Sequence, residues 1–175
     1  MQNKKSLLKI TYTAIFTAII MLCTMLIKFS TGLGEGYIHF GDCFIYLSAC
    51  VLPFPYCLVA SAIGGALADI LGGYAVWAIP TAIIKILIAL PFMAICRRNK
   101  TAKILNIKVA LMTIISGVIS IIGYFIAECI LYSVPSATLS ILGNTIQAVS
   151  SGILFIIVAG ALDKMNLKSR IFKGL

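Results

Sequence analysis

Lys85 lies near the middle of an apolar run, Val76–Cys96. At 1.5 Å per helical residue it sits roughly 13–15 Å from either end. An ionisable group that deep in a bilayer is costly, and a flexible stem reduces the cost without removing it. Lys85 therefore needs an anion, a carbonyl or a water-filled cavity. Thr81 lies one turn before it and Trp77 one turn before that, so the three share a helical face. Glu128 is bracketed by Tyr124 and Tyr132 at the same spacing, and Ser140, Asn144, Gln147 and Ser151 form a polar stripe. Asp42 and Asp69 lie near the ends of their own apolar segments, and Asp69 is a candidate partner for Lys85. Polar and aromatic side chains converging in apolar surroundings suit a pocket for a small molecule. The plainer alternative is a set of interhelical hydrogen bonds and one lysine–carboxylate pair holding a bundle together.

Other chemistries find little support. His39 is the one histidine, and its spacing to Asp42 and Cys43 is too loose for a four-ligand metal site. No metal and no cofactor is expected. The chain has no nucleophile elbow, no H-E-x-x-H and no paired carboxylates. It also lacks G-x-x-x-x-G-K-[ST], so it has no phosphate-binding loop with which to hydrolyse ATP. The six cysteines are scattered without a C-x-x-C and read as small packing residues.

The elements that must position these residues are membrane helices. Hydrophobic residues make up 61% of the 175 and charged residues 11%, with a mean hydropathy of +1.10. A soluble domain carries about 25% charged residues. Of fourteen Lys and Arg, all but Lys28 and Lys85 fall in three clusters: Lys4 to Lys9, Arg97 to Lys108, and Lys164 to Lys173. Positive charge collects on the cytoplasmic side, so both termini and the middle cluster are expected to face inward. The +9 net charge is thus a matter of topology and lipid headgroups, not nucleic acid. The expected spans are Leu7–Ile27, Asp42–Leu52, Tyr56–Leu71, Val76–Cys96, Val109–Leu131 and Leu139–Leu162. The result is an all-α bundle of six transmembrane helices in a single domain, 1–175. The charge parity also admits a re-entrant hairpin for the second and third segments, leaving four crossings. The first apolar run is long for a signal peptide and reads as a retained helix. The Gly-rich stretch 28–41 is an outer loop. Ala14-x-x-x-Ala18 places two small residues on one helical face, a pattern that usually serves packing.

Three ordered stretches carry a resemblance: Gly36-Tyr-Ile-His-Phe-Gly-Asp42, Gly64-Gly-Ala-Leu-Ala-Asp-Ile-Leu-Gly-Gly-Tyr74, and Ala78-Ile-Pro-Thr-Ala-Ile-Ile-Lys85. With the length and helix layout, the chain resembles the substrate-binding S components of energy-coupling factor (ECF) transporters, in the riboflavin and hydroxymethylpyrimidine branch. The run after Lys85 and the Pro53-Phe-Pro55 stretch depart from the family pattern. The resemblance implies a multi-pass protein of the bacterial cytoplasmic membrane. It would bind a vitamin or precursor (riboflavin, a thiamin precursor or a pyridoxine-class molecule) on the outer side and deliver it inward with a transmembrane coupling subunit and two ATPases. It makes the 28–41 loop a lid, with Tyr37 and His39 on it, and gives Ala14 and Ala18 a docking role. Trp77 would stack on a flat ring, with Lys85, Glu128, Asn144 and Gln147 hydrogen-bonding it and Thr81 and Tyr124 beside them. Asp42 and Asp69 are expected to be structural. Against this stand two other classes: a small membrane enzyme using Glu128, His39 and Asp69 as acid and base groups, and a self-contained channel.

Overall fold

The computed structural model describes residues 2–26, 28–30, 37–98 and 103–166. The chain runs α1 (Gln2–Met25), β1 (Lys28–Ser30), β2 (Tyr37–His39), α2 (Gly41–Val51), α3 (Tyr56–Leu71), α4 (Ala78–Arg98), α5 (Ile107–Leu131) and α6 (Val134–Lys164). A 3-10 turn, Ala75–Trp77, leads into α4. The stretch expected to be loop contains an antiparallel hairpin in which Phe29 pairs with Ile38 and Lys28 with His39. Residues 31–36, the tip of the expected lid, lie outside the described residues.

The burial pattern inverts that of a water-soluble protein. Large apolar side chains such as Ile79, Ile83, Ile114, Ile122, Ile130 and Ile157 are exposed, while Asp42, Asp69, Lys85, Glu128 and Gln147 are buried. Helices that are apolar outside and polar inside match a hydrocarbon surround. Among the described residues, four helices (α1, α4 with its lead-in turn, α5 and α6) are long and apolar enough to cross a bilayer, whereas α2 and α3 have 11 and 16 residues.

The shortness of α2 has a structural reason. It is the hub of the bundle, and every one of its residues except Phe44 is buried. It packs on α1, α3, α4 and α6. Around it α1 packs on α3, α3 on α4, α4 on α5 and α5 on α6, while β2 touches both α6 and α1. At 1.5 Å per residue α2 spans about 16 Å, roughly half a hydrocarbon core. Strand β2 packs on α6 and α1 directly before α2 begins, so the chain is already inside the bundle at the start of the helix. Gly41 marks that entry, because a Cβ there would lie 2.0 Å from Thr24 Oγ1.

The start of the last helix differs from the sequence reading by a full turn. The last span starts at Val134, not Leu139, with Pro135 inside its first turn. Proline is harmless there because its missing N–H would have had no intrahelical partner. Ser133 caps the helix, its side chain accepting from Ser136 N at 3.4 Å. At the other end of the bundle the Asp163 carboxylate accepts from the backbone N–H groups of Ile104 (2.6 Å) and Leu105 (2.8 Å). This clamp fixes the α4–α5 linker to the end of α6, bringing two of the basic regions to the same end.

Close approach of α1 to α3 depends on Gly64, where a Cβ would lie 2.9 Å from Ile20 Cβ and 3.0 Å from the Thr17 carbonyl. Gly64→Val should therefore lower stability by about 1–3 kcal/mol through overpacking. Thermal unfolding in detergent measures this. Wild-type stability would show that the two helices are free to separate.

Candidate functional site

The site has two tiers. The lower one begins with Asp42, placed in the hub by the first turn of α2. A buried carboxylate requires charge compensation and hydrogen bonds. Lys85 of α4 supplies the charge, with Nζ 2.5 Å from Asp42 Oδ1 and both side chains fully buried. Gln147 of α6 donates from Nε2 to Asp42 Oδ2 at 3.2 Å. The ammonium also lies 5.2 Å from the centre of the Tyr124 ring, adding a cation–π contact from α5. Four helices thus converge on one charge pair.

The third helix contributes by leaving room. A Cβ at Gly65 would sit 2.8 Å from Lys85 Cγ and 3.0 Å from Thr81 Cγ2. Glycine there lets α3 close over the aliphatic stem of Lys85. The small-residue stripe of α3 was visible in the sequence, but its relation to Lys85 was not. Asp69, one turn further along α3, is buried. Of the two aspartates expected to be structural or ion-paired, Asp42 forms the salt bridge to Lys85. The reason is direction, since α2 starts at the depth of Lys85 and points Asp42 at it.

His39 is also deep in the bundle. Its Nδ1 accepts from Gly41 N at 3.1 Å, and its carbonyl accepts from Ser151 Oγ at 3.3 Å. This ties the hairpin to α6. The side chain of Tyr37 lies outside the described residues.

The upper tier is aromatic and acidic. Trp77 lies between Tyr124 and Tyr132, with ring centres 6.0 and 5.9 Å away. Glu128 is buried and accepts through Oε1 from Ser140 (2.7 Å) and Ser136 (3.1 Å). The serines hold one carboxylate oxygen in place. Thr81 is buried between the tiers on α4, and Asn144 is half-buried on α6, one turn from both Ser140 and Gln147. The structure therefore gathers Trp77, Thr81, Lys85, Tyr124, Glu128 and Gln147 toward one end of the interior. Tyr132 and Ser136 join them without having been singled out as site residues. Their signal was the helical spacing to Glu128 in one case and the N-terminal extension of α6 in the other.

A groove of about 320 Å³ between α5 and α6 is a different feature. Its lining includes Gly117, Ala148, Gly152 and the exposed Ile114 and Ile153. The small residues are accounted for by helix contact: a Cβ at Gly152 would lie 3.2 Å from Thr113 Cβ. No charged group lines it, so it lacks the converging polar groups that recognise a ligand.

Among the described residues no cluster of three or more His, Cys, Asp or Glu is arranged to hold a metal ion. Residues 4–164 match the family model of the ECF-type riboflavin transporter S component. The chain belongs to this family. It is a multi-pass membrane protein and a transporter subunit, not an enzyme. A further similarity is to an uncharacterized protein in the gap 3′ region of Pyrococcus woesei, 30% identical over 152 residues, covering 87% of this chain and 96% of the relative. For this S component the enzyme reading of Glu128, His39 and Asp69 falls away. Glu128 accepts from two serine hydroxyls, and His39 accepts through Nδ1 from Gly41 N.

The Asp42–Lys85 pair should behave as a unit. Lys85→Met or Asp42→Asn alone should cost about 3–5 kcal/mol, because each strands a buried partner. The double variant Asp42→Leu/Lys85→Met should cost clearly less than the sum of the two single changes. Denaturant or thermal unfolding of the four proteins decides this, and additive losses would contradict a coupled pair.

Proposed function

We propose that this S component captures a flat, neutral aromatic vitamin of the flavin class in the upper tier and passes it inward with a transmembrane coupling subunit and two ATPases. The observation that carries this reading is Trp77 set between two tyrosines directly above an already neutralised charge pair. Stacking on Trp77 would hold a planar ring. Glu128 offers an acceptor, while Asn144 and Gln147 offer donors and acceptors. Lys85 is satisfied by Asp42 before a ligand arrives, which favours a ligand without net charge. The family match supports riboflavin over a pyrimidine or pyridine.

In the same reading all six helices cross, with both termini and the α4–α5 linker in the cytoplasm, and the whole chain is one domain. Two contacts between α2 and α4 support alternating crossings. Asp42 meets Lys85 and, further along both helices, Cys50 meets Cys96. The two helices therefore run in the same direction, as the second and fourth of six crossings would. The hairpin, with Tyr37 and His39, acts as the lid. Ala14 and Ala18 form the docking face for the coupling subunit. Both are exposed, whereas Thr13, Ile20 and Thr24 of the same helix are buried. Internal packing thus makes no use of the two alanines.

Protein purified from rich medium should release a stoichiometric flavin on denaturation, identified by mass and absorbance. A different vitamin would overturn the substrate class, and no bound or bindable vitamin would overturn the site. Trp77→Ala should weaken binding by at least about tenfold, the equivalent of ~1.4 kcal/mol of lost stacking. Ala14→Trp and Ala18→Trp should abolish uptake in cells while leaving binding by the purified protein intact. Undiminished uptake would remove the docking assignment.

A further inference from the structure

Near the basic end of the bundle the hub helix meets α4 a second time. Cys96 Sγ donates to Cys50 Sγ at 2.9 Å. Cys50 lies in the last turn of α2 and is buried; Cys96 is half-buried, directly ahead of Arg97 and Arg98. Cys57, at the start of α3, points elsewhere, with its Sγ donating to Met93 Sδ at 3.8 Å. All six cysteines are present as thiols. A disulfide requires sulfurs at about 2.05 Å, so Cys50 and Cys96 need to approach by less than about 1 Å. Nothing in the ligand site or in the helix contacts described above requires two thiols facing each other here.

We propose that Cys50 and Cys96 form a reversible dithiol–disulfide site that locks α2 against α4. With hydrogen peroxide as oxidant, the more accessible Cys96 sulfur attacks the O–O bond. It becomes a sulfenic acid, and the displaced hydroxide leaves as water after taking up the thiol proton. The Cys50 sulfur then displaces the sulfenic hydroxyl, which leaves as a second water carrying the Cys50 proton. Two thiols have given two electrons to one peroxide, and the S–S bond has formed. A dithiol reductant reverses the change by thiol–disulfide exchange. Asp42 and Cys50 are eight residues apart on α2, about 12 Å. The disulfide would therefore add a covalent tie well below the ion pair, and the hub would be held to α4 at both ends. The reducing cytoplasm keeps such a pair open, which makes the link a response to oxidative conditions.

The test uses the full chain in detergent, treated with hydrogen peroxide and then alkylated with N-ethylmaleimide under denaturing conditions. Two of the six thiols should become protected, and digestion should yield one linked peptide pair containing Cys50 and Cys96. Dithiothreitol should return both to the alkylatable pool. The oxidised protein should unfold several degrees higher than the reduced one, and Cys50→Ala and Cys96→Ala should show neither the link nor the shift. Cys57→Ala should keep both. Six alkylated thiols after oxidation, a link through any other cysteine, or a link without a rise in unfolding temperature would each overturn the proposal. The peptide map is read on the wild-type chain, so a poorly folded variant does not affect that result.

Discussion

A carboxylate at the centre of a bundle in hydrocarbon is stable only if its charge is matched within contact distance. Asp42 is that carboxylate, and the architecture is arranged around it. Lys85 matches the charge and Gln147 fills the second oxygen. Those two partners come from α4 and α6, so the hub is tied to opposite parts of the ring. Gly65 is small because α3 must pass close to the Lys85 stem, and Gly41 is small because α1 passes close to the start of α2. The hairpin follows from the same requirement. For Asp42 to lie level with Lys85, the chain must enter the bundle as strand before it turns into helix.

This arrangement divides the labour of the interior. The lower tier is self-satisfied, so its charges stabilise the hub and present little net field to a ligand. The upper tier has aromatic faces and a carboxylate held by two serine hydroxyls. A polar network of this kind rigidifies its members when all are paired. Under the proposed function a ligand would meet a preorganised surface, which reduces the ordering cost of binding.

Much of this could be read from the residues, and the parts that could not have a common cause. Lys85 stands out in any hydropathy trace because an unexplained cation within a span must have a purpose. The Trp77–Thr81–Lys85 face and the α6 polar stripe follow from helical periodicity alone. The choice between Asp42 and Asp69 did not follow, because it depends on the depth at which α2 begins. That depth is set by the hairpin, whose three-residue strands carry too little pattern to distinguish them from loop. The α6 start was hidden in the same way: Pro135 signals a break unless Ser133 is seen to cap the turn before it. The Asp163 clamp joins residues 58 and 59 apart in sequence through backbone N–H groups. No side-chain pattern reports such a bond.

The depth of α2 also bears on how capture and coupling stay separate in a small chain. The groups proposed to recognise the ligand lie on α4, α5 and α6, while the small exposed face of α1 belongs to the helix that packs on α3. A partner contacting Ala14 and Ala18 would touch neither Trp77 nor Glu128 directly. Two routes lead from that face toward the ligand: one through α1 to Gly41 and the hairpin, where Thr24 closes on the entry to α2, and one through α3, which packs on α1 at Gly64 and on Lys85 and Thr81 at Gly65. The first route ends at His39 and Asp42, the two residues that hold the hairpin and the charge pair in register. Both routes meet the lower tier, so motion of α1 relative to the hub would act on the Asp42–Lys85 pair before it reached the aromatic rings beside Lys85 and Tyr124.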